Sequence, residues 1–143
     1  MPSNNPSARP YYLHTVAISV AKLEHSIAWY EKNLGFRVRQ RRDFHESQIL
    51  TAILGGVGFQ LELIQNAHSM PLAHFLDDPS QPTLIQGYKK IVIQTRELDA
   101  LYELLQEQDV TFVYPDIQET PGVLGQWFMI EDLDGNILQF IGA

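Results

Sequence analysis

Two stretches of this chain repeat each other at a fixed offset of 75 residues, and that repeat constrains the fold more than any other feature. Val16 falls on Ile91, Ile18 on Ile93, Leu23 on Leu98, Ile27 on Tyr102, Tyr30 on Leu105 and Val38 on Val113. The pattern changes period at the same point in both copies. Thr15 to Val20 alternates large apolar with small or polar residues, as does a strand with one face in a core. Leu23, Ile27, Tyr30 and Leu34 then recur at helical spacing, and Gly35 supplies a C-terminal stop. Phe36 to Arg41, Ile49 to Leu54 and Gly58 to Ile64 read as three further strands, with Gly55-Gly56 suited to a tight hairpin. The second copy gives a strand at Ile91 to Ile93 and a helix from Leu98 to Gln108. Strands follow at Val110 to Tyr114, Gln126 to Ile130 and Asn136 to Ile141, with a turn at Asp134-Gly135. Two periods that match in register are poorly explained by chance.

The fold expected is therefore α+β, with two βαβββ modules forming curled mixed sheets around a central cleft. Module one spans 14–66, a Pro-bearing linker 67–87 and module two 88–143, together one domain over 11–143. The linker should hold one short helical turn around Leu72 to Leu76. Residues 1–10, rich in Pro, Ser and Asn, read as a disordered leader.

Bulk properties exclude several function classes. A net charge of −7 disfavours nucleic acid, whose phosphates need clustered Lys and Arg. The one basic run, Arg37, Arg39, Arg41 and Arg42, alternates as the solvent side of a strand would. With no cysteine, disulfides, thiolate metal sites and thiol nucleophiles are excluded. No apolar run is long enough for a secretory signal or a membrane span, so a cytoplasmic protein is expected, without membrane partners.

In each module the helix covers one face of the sheet, and the opposite faces border the cleft, where ligands usually sit. By strand parity the cleft receives Thr15, Ala17 and Ser19, then Gln60, Glu62 and Ile64, then Lys90, Val92 and Gln94. Trp127 and Met129 follow, with Ile137, Gln139 and Ile141 from the last strand, while Phe128 and Ile130 pack under the helix. An indole beside a thioether suits a flat or apolar ligand. Glu62 and Lys90 come from different modules, and two readings stand side by side. The pair anchors a polar ligand or acts as an acid/base couple; or it is a structural salt bridge. His45, Glu46, His68 and His74 read as solvated loop residues, and Ser26 and Ser47 have no His partner at triad spacing.

The opening His14-Thr-Val-Ala-Ile-Ser-Val, then Leu23 to Tyr30 and Asn33-Leu-Gly-Phe-Arg-Val, resembles that of vicinal oxygen chelate proteins. So does the ending Ile130-Glu-Asp-Leu-Asp-Gly-Asn-Ile-Leu-Gln-Phe. The resemblance implies the glyoxalase and bleomycin-resistance fold, on which many activities are built. In metal-dependent members a divalent ion lies between the modules, held by the first, fourth, fifth and last strands. The matching positions here hold Thr15, Glu62, Lys90 and Gln139. One good ligand among four implies a metal-free pocket with no cofactor. The alternative is a Ni, Zn, Mn or Fe site made by His14, Glu62 and Gln139, which requires a bulge to turn His14 into the pocket.

The expectation is thus a homodimeric small-molecule-binding protein resembling the bleomycin-resistance branch, its ligand an aromatic or amphipathic compound. Thr15, Ala17, Ser19, Gln60, Gln94, Trp127, Met129 and Gln139 are its binding residues. The alternative is a glyoxalase-like lyase or isomerase or a dioxygenase, either metal-dependent or using Glu62 and Lys90 catalytically.

Overall fold

The first element after the N-terminal segment is a strand, β1 (Thr15–Ser19), whose Val16 and Ile18 turn inward. It leads into α1 (Leu23–Leu34), which buries Leu23, Ile27 and Tyr30 along one stripe. Gly35 ends the helix at φ 74°, a left-handed conformation that a Cβ makes costly, and its N–H returns to the Tyr30 carbonyl. Three strands complete the module: β2 (Arg37–Phe44), β3 (Ile49–Gly55) and β4 (Gln60–Asn66). The second module repeats the order with β5 (Lys90–Thr95), α2 (Leu98–Glu107), β6 (Thr111–Phe112), β7 (Gln118–Thr120), β8 (Gly125–Glu131) and β9 (Ile137–Gly142). This computed structural model describes residues 11–75, 82–122 and 125–143, so the leader expected over 1–10 lies outside them. The helical turn expected in the linker is a 3-10 turn at Leu72–Phe75, followed by another at Pro82–Leu84.

The first sheet runs in the order β1-β4-β3-β2 and the second β5-β9-β8-β6, with β7 also paired to β8. In each, the first strand lies parallel to the last and at the sheet's edge, and the remaining pairings are antiparallel.

Three differences from the sequence reading have physical causes. The strand expected over 110–114 is only Thr111–Phe112, with one more ladder bond from Val113 N–H to the Met129 carbonyl. Pro115 then has no N–H to donate, and the ladder stops. A ninth strand, β7, returns to β8 through Gln118 and Thr120, which carry no alternating apolar pattern to announce it. Finally, β2 extends to Phe44 and bulges: Val38 pairs with Leu54 but Gln40 with Ile53, leaving Arg39 as the extra residue.

The core is one cluster drawn from both modules. Tyr30, Phe36, Leu54, Leu61 and Leu63 join Leu105, Phe128, Ile130, Leu138 and Phe140. Each such side chain contributes roughly 1.5–3 kcal/mol through burial. The modules are also latched by hydrogen bonds. Tyr30 Oη donates to buried Asp132 at 2.7 Å, and Asp132 also accepts from the backbone N–H groups of Asp134 and Asn136 and from Asn136 Nδ2. Asp134 in turn accepts from the Ala21 N–H at 2.9 Å, at the positive end of α1. The Leu23 N–H, otherwise an orphan of the first turn, donates to Gln65 Oε1 at 2.6 Å. Burial, then the Asp132 carboxylate, raises the Tyr30 phenol above its ordinary range, so it remains a donor.

Candidate functional site

The strand registers arrange the helix-free faces into rows. In the first sheet one row is Ala17, Glu62, Ile53 and Gln40, and the next is Ser19, Ile64, Thr51 and Arg42. In the second sheet the corresponding rows are Val92, Gln139 and Met129, then Gln94, Ile141 and Trp127. The parity read from the sequence therefore describes these faces: Phe128 and Ile130 are buried in the core, while Trp127 and Met129 lie opposite and half-buried.

Gln139 occupies the middle of the second face, on the strand between β5 and β8. It is 1% exposed, and neither its Oε1 nor its Nε2 has a hydrogen-bond partner among the described residues. Asn33 and Gln108 leave one oxygen each unpartnered, so Gln139 is the side chain with the larger unmet demand. A buried amide without partners costs about 1–3 kcal/mol. Its neighbours across the strands, Val92 and Met129, are apolar. Trp127 stands one row away, its indole N–H donated to Thr120 Oγ1 at 2.9 Å and its ring edge-to-face with Tyr114. The strand missed in the sequence, β7, thus fixes the orientation of this tryptophan.

The first face carries a cavity of about 230 Å³ lined by Gln40, Arg42, Phe44, Thr51, Ile53 and Glu62. Five of these six were not foreseen. The bulge at Arg39 shifts the parity of β2, so Arg42, read from the sequence as part of a solvent-facing run, stands on the pocket face. The rest of that run behaves as expected. Arg37 and Arg39 are exposed, and Arg41 pairs with Glu24 of α1.

Other candidates fall as follows. Thr15 Oγ1 is hydrogen-bonded to His14 Nδ1 at 2.7 Å, and Ala17, Ser19 and Lys90 are exposed. Gln94, also exposed, reaches the Gly142 carbonyl at 3.5 Å. Gln60 and Glu62 are half-buried. The direct ion pair expected between Glu62 and Lys90 is not made within the chain: the ion pairs among the described residues are Arg41–Glu24 and His45–Asp43. Lys90 and Glu62 lie on separate sheets that share no strand pairing. Nor does a bulge turn His14 inward, because β1 runs beside β4 without a register shift and His14 is exposed ahead of it. His45 and Glu46 form an exposed 3-10 turn with Ser47.

The four positions that the resemblance assigns to a metal fit a divalent ion poorly. They offer one carboxylate, one amide, a hydroxyl already bonded to His14, and an ammonium that repels a cation. No three His, Cys, Asp or Glu side chains converge among the described residues. A larger cavity, about 560 Å³, lies between α1 and the second module, lined in part by Trp29, Lys32, Gln108 and Asp132. None of the binding residues read from the sequence lines it, and its Asp132 carboxylate is consumed by the latch. Among the described residues no helix is long and apolar enough to cross a membrane.

Comparison with known proteins agrees with this architecture. The sequence profile of the glyoxalase/bleomycin resistance protein/dioxygenase superfamily matches residues 12–140. No functionally curated protein matches the chain. Among solved structures, a glyoxalase family protein from Enterococcus faecalis superposes with a TM-score of 0.76 at 17% identity, over 91% of this chain and 96% of that one. The trypanothione-dependent glyoxalase I of Leishmania major gives 0.68 at 23% identity, over 92% and 86%. TioX from Micromonospora sp. ML1 gives 0.64 at 16%, over 91% and 97%. These are likenesses of fold, and together with the profile match and the duplicated βαβββ modules they place the chain: it belongs to the glyoxalase/bleomycin resistance protein/dioxygenase superfamily.

Proposed function

We propose that this chain is a cytoplasmic, homodimeric protein that binds a small organic molecule without a metal ion, as in the bleomycin-resistance branch of its superfamily. One observation carries the reading: the unpartnered, buried carboxamide of Gln139, set among Val92, Met129, Trp127 and Ile141. Apolar walls with one or two well-placed polar groups are the usual makeup of a small-molecule pocket. A ligand with both a donor and an acceptor would satisfy the amide and lie flat on the indole. Lys90, where a metal ligand would stand in metal-dependent relatives, supports the same reading.

Exposed pocket-face residues support a second copy of the chain. Val92 is 47% exposed, and Ala17, Ser19, Lys90 and Gln94 are also open to solvent although they belong to the pocket faces. β1 and β5 are both sheet edges, which natural proteins seldom leave uncovered. Bringing the first face of one copy against the second face of another would cover these residues and draw Lys90 towards Glu62.

The test is tryptophan fluorescence with a set of neutral aromatic compounds. Of the two tryptophans, Trp29 and Trp127, saturable quenching should come from Trp127 and vanish in Trp127→Phe. Quenching that survives this change, or a tightly held metal ion at one per chain on elemental analysis, would defeat the proposal.

A further inference from the structure

The cavity on the first face holds two opposite charges that do not neutralise each other. Arg42 and Glu62 both line it, and neither takes part in an ion pair among the described residues. Register explains why. Glu62 shares a row with Gln40, two strands away, and Arg42 lies one row further along. With strands about 4.8 Å apart and rows about 6.8 Å apart, their backbones are separated by about 12 Å on one face. Thr51, 6% exposed, and Ile53 stand between them.

Gln40 is positioned to hold the guanidinium. With its amide oxygen turned towards Arg42, Gln40 accepts from Nε at 3.0 Å and from Nη2 at 3.1 Å. Three of the five guanidinium N–H donors then remain for another acceptor, in the planar fork that suits a carboxylate. Across the cavity Glu62, with two oxygens and about four acceptor sites, would receive an ammonium beside the Lys90 that the proposed dimer brings near. At about 230 Å³ the space is below the roughly 300–1,000 Å³ of drug-sized sites, so its occupant is small. A dianion such as phosphate would meet repulsion from Glu62, whereas a carboxylate joined to an amine meets a complementary charge at each end.

The geometry points to an amino-acid-like ligand, or ligand end, clamped with its carboxylate on Arg42 and its ammonium towards Glu62, with Phe44 and Ile53 beside its side chain. This rests on the small-molecule-binding reading and adds its chemical class. The bulge at Arg39 is then a specificity device, since without it Arg42 would face away from the cavity.

Three probes with one skeleton test it by calorimetry at low salt: L-phenylalanine, 3-phenylpropionate without the amine, and phenethylamine without the carboxylate. L-phenylalanine should bind at least tenfold more tightly than either truncated probe. Arg42→Gln should reduce it to the level of phenethylamine and leave phenethylamine itself unchanged. Glu62→Gln should do the reverse, reducing it to the level of 3-phenylpropionate. Both positions are solvent-accessible, and unchanged urea midpoints would certify folding of the variants. The inference is overturned if Arg42→Gln leaves L-phenylalanine binding intact, if phenethylamine binds as tightly, or if none of the three binds. Saturable Trp127 quenching by neutral aromatics with no response to these probes would remove the amino-acid class and leave the binding reading standing. Arg42-dependent binding without any Trp127 quenching would keep the amino-acid class and place the ligand away from Gln139 and Trp127.

Discussion

Replacing Gln139 by leucine should make the unliganded protein more stable, a direction opposite to that of most core substitutions. The side chain is 1% exposed, and both of its polar atoms lack partners among the described residues. Leucine is close in volume, so little packing strain is introduced, and the desolvation penalty of the amide disappears. The gain is about 1–3 kcal/mol. For a chain of this length, with about 2–4 °C per kcal/mol, the melting temperature should rise by roughly 2–12 °C. Urea and thermal unfolding of wild type and Gln139→Leu without added ligand measure it, with the midpoint shifting at constant slope. Gln139→Glu is the control, and it should lose stability because it buries an uncompensated charge. The same leucine variant should lose the saturable quenching of Trp127, since the group that orients the ligand is gone. If Gln139→Leu is instead destabilised by about 1 kcal/mol or more, the amide is already satisfied in the free protein. The argument that it awaits a ligand then fails.

Three further outcomes follow from the latch and the helix ends. Tyr30→Phe removes a hydrogen bond to a buried carboxylate and should cost about 1.5–3 kcal/mol in urea unfolding at pH 7. Because the Tyr30 phenol is raised in the folded state, its stabilisation is complete below its ordinary value near 10 and shrinks above it. There the unfolded chain loses its proton first, so this group should contribute a fall of about 1.4 kcal/mol per pH unit. Tyr30→Phe should lack that component between pH 10 and 11, and parallel pH profiles would contradict the assignment. Asp134→Ala strips the acceptor from the Ala21 N–H at the start of α1 and should lower stability by about 1–2 kcal/mol, read as a shift in the urea midpoint. Gly35→Ala meets no steric obstacle but must hold φ near 74°, so about 1 kcal/mol should be lost in the same assay.

What was legible in the sequence divides along physical lines. The repeat and its parity were readable because the core faces use large apolar residues at fixed periods: Val16 and Ile18 in β1, with Val20 just after it, and Phe128 and Ile130 in β8. Hence Gln139, Trp127 and Met129 could be assigned to a face before any coordinates. The segment Arg39-Gln-Arg-Arg-Asp offers no apolar residue to register against β3, so nothing in it marks the bulge, and Arg42, read as solvent-facing and exposed in the structure, could not be assigned to the cavity. β7 escaped for a similar reason. Its pairing depends on the turn after Pro115, and Thr120 earns its place through the Trp127 indole, a contact formed only once the chain folds back. The ion pair between Glu62 and Lys90 failed differently. Parity gave each residue its face, but parity carries no information on how two sheets sit relative to each other.

The duplication gives that last point a further consequence. Thr15 and Lys90 head equivalent strands, and Glu62 and Gln139 hold the equivalent central positions of the two sheets, each beside the edge strand in its row. Where relatives place a converging set of metal ligands, this chain has made its modules electrically unlike. The first face carries Glu62 together with Arg42, and the second Lys90 and Gln139. In the proposed dimer Glu62 would prefer a face that presents Lys90, while Arg42, one row away on the same face, keeps its remaining donors. Two copies of the chain can satisfy that preference twice, once on each side of a twofold axis, as closed symmetry requires. On the proposed reading, the residues that fit a divalent ion poorly are also those that would select the dimer partner. The charge that makes Lys90 a poor neighbour for a cation is the same charge that selects the Glu62 face as its partner.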